Sequence, residues 1–214
     1  MAAAASVLAS ARYVGAMPQS DTDTATLAYG ANSLTVVAIA NVPTVFETPS
    51  QPTFSDSGSR TYTLAKTQVS ETTQRLSAYT AASTSSGSVT GTLTEPGSGS
   101  TDGSGTVKWA AIQIAGGAAP ATMLDVCTSG SAVTGANSIT ATGGQVAEAN
   151  ELVLVIISTR AYGGAVTQTA PTGWTEVTKH LSTDGTSAQL ALFTRDALTT
   201  AGESISQSFT WGGT

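Results

Sequence analysis

Ser204-Ile205-Ser206-Gln207-Ser208-Phe209-Thr210-Trp211 places Ile205, Phe209 and Trp211 on one parity and Ser204, Ser206, Ser208 and Thr210 on the other. Successive side chains of a β-strand point to opposite faces, so this stretch reads as a strand with one buried and one solvated face. A similar stretch lies 116 residues earlier, where Val89, Gly91 and Leu93 alternate with Ser88, Thr90, Thr92 and Thr94. Two strands of one design, so far apart, suggest that the chain contains the same unit twice.

The likeness extends outward from that pair. Asn32-Ser33-Leu34-Thr35-Val36-Val37-Ala38-Ile39 matches Asn150-Glu151-Leu152-Val153-Leu154-Val155-Ile156-Ile157 at an offset of 118. Tyr62-Thr63-Leu64 matches Trp174-Thr175-Glu176, Leu76-Ser77-Ala78-Tyr79-Thr80 matches Leu190-Ala191-Leu192-Phe193-Thr194, and Gly87 falls opposite Gly202. Blocks that keep their order while the loops between them drift in length indicate a duplicated domain. Leu152 to Ile157 is apolar on both parities, which predicts a central strand or one whose outer face meets another domain or subunit.

Between the blocks lie turn-forming segments such as Phe54-Ser55-Asp56-Ser57-Gly58-Ser59, Tyr162-Gly163-Gly164 and Thr183-Asp184-Gly185-Thr186. Many short strands punctuated in this way predict an all-β chain of two tandem antiparallel β-sandwich domains, Ig-like or jelly-roll-like. The domains are expected over 1–116 and 117–214, with the junction at Gly116-Gly117-Ala118-Ala119-Pro120.

Composition agrees. Of 214 residues only 10% are charged, against roughly a quarter in an ordinary domain, while 40% are hydrophobic, enough to fill cores. Thr suits a pleated surface, and the residues that build helix surfaces are scarce. The net charge of −6, with eight scattered Lys and Arg, argues against nucleic acid or an anionic membrane as partner. No apolar run approaches the ~18 residues of a membrane helix. Met1 is followed by Ala2 to Ala5 without a basic segment or a long apolar run, so no export signal is expected.

The residues that could carry chemistry are few. His180 is the only histidine and Cys127 the only cysteine, and neither has a recognisable set of partners for nucleophilic catalysis or for zinc. Asp21-Thr22-Asp23, Asp56-Ser57-Gly58 and Asp102-Gly103 lie in loops, where the choice is between Ca²⁺ ligation through oxygen and ordinary Asx turns. Tyr62, Trp109, Trp174 and Trp211 could stack on sugar rings or fill cores. No glycosidase-type carboxylate pair is marked, and the Gly/Ser stretch at 97–105 lacks the Gly-Lys-Ser/Thr of a phosphate loop. No catalytic residue, metal or cofactor is therefore expected.

The wording Ala170-Pro171-Thr172-Gly173-Trp174-Thr175-Glu176-Val177, then Leu190-Ala191-Leu192-Phe193-Thr194, Ala201-Gly202-Glu203-Ser204 and Phe209-Thr210-Trp211, resembles a β-sandwich module of bacteriophage virion proteins. The same module occurs in some bacterial surface proteins. In it a P-x-GW element precedes an alternating strand and an A-G-E turn. The resemblance covers most of residues 120–214 and, more faintly, 20–116, where a Ser-rich loop and Tyr62 replace the Gly-Trp element. It implies a non-enzymatic virion structural protein made in the host cytoplasm and carried on the virion surface. A capsid decoration or cement role comes first, then a fibre or tail component; the alternative is a bacterial adhesin or carbohydrate-binding module. The implied partners are the major capsid protein or further copies of the chain, as a homo-oligomer.

One asymmetry bears on partners. The first copy continues past Leu93 into Val107-Lys108-Trp109-Ala110-Ala111-Ile112-Gln113-Ile114, an evident closing strand, and the second reaches Thr214 before any counterpart. A sandwich without that strand exposes unpaired backbone groups beside an apolar groove. Residues 6–15 have the character of the closing strand. The expected interaction edge therefore joins Val7, Leu8, Tyr13 and Val14, in this chain or a neighbour, to Ile205, Phe209 and Trp211. A strand of a partner such as a capsid protein could take the same place. The other reading is a shorter sandwich whose edge Ser and Thr blunt.

Overall fold

The computed structural model describes residues 4–14, 22–42, 50–70, 74–95, 106–115, 138–145, 149–160, 166–180, 188–195 and 199–213. Among them there is no helix. The first half carries β1 (Ala4–Val14), β2 (Thr22–Tyr29), β3 (Ser33–Val42), β4 (Thr53–Asp56), β5 (Thr63–Ser70), β6 (Gln74–Ser83), β7 (Gly87–Thr94) and β8 (Thr106–Ala115). The second carries β9 (Ser138–Gln145), β10 (Leu154–Arg160), β11 (Val166–Gln168), β12 (Trp174–His180), β13 (Ala188–Arg195) and β14 (Ser204–Gly213). Every neighbouring pair is antiparallel.

The strands form four sheets, ordered β2-β7-β4, β1-β8-β3-β6-β5, β10-β13-β12 and β11-β14-β9. Three apolar cores separate them, so the sheets stack as four layers. Core one lies between the first two layers and holds Leu27, Val37, Ile39, Phe54, Leu93 and Trp109. Core two joins the halves: Leu34, Val36, Ala38, Ala110 and Ile112 of the second layer meet Leu190 and Leu192 of the third. Core three, with Ile157, Trp174, Phe193, Ile205 and Phe209, lies between the last two layers. β3 is buried along its whole length because its odd residues enter core one and its even residues core two. Sandwiched between two cores, it reads as a continuous apolar run rather than an alternation.

The two-sided apolar run at 152–157 has the same cause. Leu154 and Ile156 pack against core two while Val155 and Ile157 face core three. Among the described residues the strand lies at the edge of its own sheet, and its outer face meets the other half of the chain.

Register makes the duplication quantitative. β3 pairs with β6 so that Val36 faces Thr80, and β10 pairs with β13 so that Leu154 faces Thr194, the positions the sequence blocks equate. A β-bulge interrupts β5–β6 pairing between Leu64 and Lys66, and another interrupts β12–β13 pairing between Glu176 and Thr178, the same place in each unit. One equivalence shifts. Gly87 is a strand residue opposite Tyr29, where a Cβ would come 2.7 Å from the Tyr29 hydroxyl, whereas Gly202 is a turn residue at φ +79°. They are glycines for different reasons and do not correspond. The expected junction at residues 116–120 lies outside the described residues.

Candidate interaction surface

Residues 6–14 pair within the chain, but not where the sequence suggested. β1 runs antiparallel to β8, with Val7 opposite Ile112, Tyr13 opposite Lys108 and Val14 opposite Val107. Val7 is 43% exposed and Leu8 packs against core one. Ile205 and Phe209 are core-three residues, and β14, far from being an edge, is the middle strand of its layer. Ser204–Thr210 pair with β9 and Trp211–Gly213 with β11. The expected contact of residues 6–15 with Ile205, Phe209 and Trp211 in the same chain is thus replaced by two separate pairings. The reason is topological: the closing strand β8 pairs with β3, not with β7, so a counterpart of β8 would run beside β10 and not beside β14.

The aromatic candidates are mostly interior. Trp109 is fully buried, and its indole N–H donates to Asp23 Oδ2 at 2.7 Å. Trp174 is buried edge-on to Phe209, and its N–H donates to Gln207 Oε1 at 3.2 Å. Each indole ties two layers together. Trp211 and Tyr62 are half-buried.

Asp56 belongs to a structural network. Its side chain is wholly buried, and its Oδ1 accepts the backbone N–H groups of Gly58 and Arg60 at 2.9 and 3.2 Å. Arg60 Nε donates to Oδ2 at 2.6 Å and the Tyr62 hydroxyl at 3.0 Å. The Arg60 guanidinium also donates to Thr35 and Ser83 hydroxyls and lies 3.9 Å above the Tyr29 ring. Burial alone would raise the Asp56 pKa, but the Arg60 and Tyr62 hydrogen bonds outweigh it and hold the carboxyl below its ordinary value. Burial pushes the Tyr62 phenol well up. The Asp56-Ser57-Gly58 loop is therefore built as an Asx turn clamped by arginine.

Other polar groups are buried as well. Asn41 Nδ2 donates to Glu95 Oε1 at 2.5 Å, while Glu95 Oε2 is buried with no hydrogen-bond partner, and burial pushes this carboxyl up to about 7. In the second half Gln168 Nε2 donates to Thr159 Oγ1 at 2.7 Å, where Gln168 is 2% exposed. Lys108 is buried at the boundary between the halves, and burial together with its charge lowers the His180 pKa, favouring neutral imidazole. Among the described residues no three His, Cys, Asp or Glu side chains gather as metal ligands. Asp21, Asp102 and Cys127 lie outside the described residues.

What remains for recognition is the outer faces and the sheet edges. β3 lies between β8 and β6, but its counterpart β10 has β13 on one side and, among the described residues, no strand on the other. Sequence reasoning expected an open edge at Ile205 to Trp211, whereas among the described residues it is β10 that has a single neighbour. The two-sided apolar character shared by 32–39 and 150–157 marks both as strands with a core on each face and equates β10 with β3. No family model, no curated protein and no solved structure matches this chain.

Proposed function

We propose that this chain is a non-enzymatic bacteriophage virion structural protein, a capsid decoration or cement protein that binds and stabilises the capsid surface. A fibre or tail component is the nearest variant of the same role. The observation that carries the reading is the fusion of two sandwiches through core two. Leu190 and Leu192 of one half are fully buried against β3 and β8 of the other, so the duplicated units form a slab of four layers rather than beads on a linker. A slab with fixed geometry and charge-poor, Ser/Thr-rich faces suits a repeating contact on a particle. The conspicuous ionisable cluster, Asp56, Arg60 and Tyr62, serves to hold a loop, which also favours a structural role.

Co-sedimentation of the purified chain with capsids, compared with retention on a glycan array, tests the proposal. Binding to particles that survives His180→Ala and Cys127→Ser supports it. Retention on glycans without particle binding replaces it with the adhesin or carbohydrate-binding reading. In that case the sugar would have to be held by residues other than Trp109 and Trp174, since both are buried.

A further inference from the structure

β10 and β13 repeat the pairing of β3 and β6, and a polar place is repeated with them. In the first half Asn41 lies opposite Arg75, on the face of the sheet that carries Val37 and Ile39 into core one. In the second half Thr159 lies opposite Gln189, on the face that carries Ile157 and Ala191 into core three. The facing layer adds one side chain to each place. In the first half it is Glu95, two residues past Leu93; in the second it is Gln168, which pairs with Trp211, two residues past Phe209.

The two places are satisfied differently. Arg75 reaches Gln51 Oε1 at 2.8 Å and Thr67 Oγ1 at 3.2 Å, and Asn41 holds Glu95. Gln189, at the position of Arg75, is shorter and neutral. Around it Gln168 Nε2 donates to Thr159 Oγ1 at 2.7 Å, and Thr159 Oγ1 stands 3.5 Å from Gln189 Oε1, the outer limit of a hydrogen bond. Gln168 Oε1 and Gln189 Nε2 have no hydrogen-bond partner, although the two residues are only 2% and 0% exposed. Turning either amide over would exchange which atom lacks a partner without supplying one. Buried polar groups of folded chains are paired with protein or with ordered water, so an acceptor and a donor left over around one buried hydroxyl mark a binding site. The same place in the first half also keeps one such atom, Glu95 Oε2.

We infer that Thr159, Gln168 and Gln189 hold ordered internal water, which donates to Gln168 Oε1, accepts from Gln189 Nε2 and so joins the third layer to the fourth. Charge decides the class of ligand. All three side chains are neutral, and one unpaired atom is an acceptor while the other belongs to a donor. A cation would satisfy Gln168 Oε1 and be repelled by the Gln189 amide hydrogens, an anion would do the reverse, and neither finds an opposite charge among these three side chains. Water does both at once, and buried water characteristically makes about three such bonds. Where the first sandwich uses direct contacts from Asn41 to Glu95 and from Arg75 to Gln51, the second thus uses a hydrated joint. The inference rests on hydrogen-bond geometry and stands apart from the virion reading.

The probe is water itself, read by NMR on the isotope-labelled full chain through NOE and ROE cross-peaks between water and the side-chain amides of Gln168 and Gln189. Cross-peaks of opposite sign in the two spectra are expected, the mark of water that stays bound rather than exchanging as surface hydration does. Gln207, whose side-chain hydrogen bond to Ser208 O is exposed, is the comparison and should show no such pair. Gln189→Leu should weaken the Gln168 signal by about fivefold or more, because an apolar site stays dry. Three results would overturn the inference. One is absence of bound water at both wild-type amides. Another is saturable movement of both amide resonances on titration with potassium or sodium chloride, which makes an ion the occupant. The third is a Gln168 signal of full strength in Gln189→Leu, which means that the water does not join the two residues. The first two need only the wild-type chain, so they decide the matter even where the variant fails to fold.

Discussion

Asn32 and Asn150 hold the same left-handed backbone conformation, φ 49° and 68°, each immediately before the strand region that leads into β3 or β10. Asn tolerates this region better than other non-glycine residues, because its short amide can bond locally, and a β-branched residue there is strained. At Asn150 the turn is also tied to the far loop, its N–H donating to Thr199 O at 3.0 Å. Asn150→Gly should leave stability within about 0.5 kcal/mol of wild type, while Asn150→Val should cost about 1–2 kcal/mol. Urea denaturation of the pair decides it, and equal midpoints for the two variants would remove the conformational argument.

Gly91 sits in the middle of β7 with its α-carbon facing core one. A Cβ at that position would come 2.7 Å from both Leu27 Cδ1 and Phe54 Cζ, and Leu27 is fully buried. Gly91→Ala should therefore cost about 1–3 kcal/mol through overpacking, whereas Thr90→Ala on the exposed face should stay within about 0.5 kcal/mol. Thermal unfolding of the two variants side by side provides the check.

The strands themselves were legible because their chemistry is local. Alternation at 204–211 and 88–94, and turn residues between apolar runs, depend only on neighbours in the chain. The repeat was legible for the same reason, and its offsets agree with the observed register to the residue at Val36–Thr80 and Leu154–Thr194. Lateral order was not. Whether a closing strand pairs with β3 or with β7 depends on which layer it enters, and both strands are apolar enough to receive it. The stacking of the halves was only half visible: the two-sided run at 152–157 signalled a second contact, but nothing local in Leu190 or Leu192 says that their partner is β3. Arg60 carries no signal in the sequence, since a lone arginine in a Ser-rich loop looks solvated until Asp56, Tyr29 and Tyr62 are seen around it.

Glu95 gives the first half a pH dependence. Its carboxyl titrates at about 7 in the folded chain against 4.5 in the reference state, mainly because burial disfavours the charge, with the Asn41 hydrogen bond and the charge of Arg75 opposing. The folded form thus binds its proton more tightly than the unfolded form. The contribution of this group to stability is full below pH 4.5, falls as pH rises through about 7 and is absent above it. Glu95→Gln, which cannot ionise, should flatten this part of the profile. Denaturation midpoints at intervals from pH 5 to about 8.5 should decline for wild type and decline less for the variant. Parallel profiles would show that Glu95 is not the group responsible.

Leu192 tests whether the two halves act as one body. It is fully buried in core two, and truncation to Ala should cost about 2–5 kcal/mol, the range for removing a leucine side chain from a packed interior. The loss falls on the contact between layers two and three, while cores one and three keep their residues. Coupling between the halves should therefore weaken before either sandwich fails. Calorimetry of wild type should give one transition, and Leu192→Ala, more so with Leu190→Ala, should resolve two. Ala110 and Ile112 on β8 face the same core, so Ile112→Ala approached from the other half should have the same effect. If the leucine variants lower a single transition without splitting it, the halves share one cooperative unit and core two is continuous with its neighbours. If they leave the transition where it was, Leu190 and Leu192 do not carry the contact, and the rigid slab on which the structural role depends loses its support.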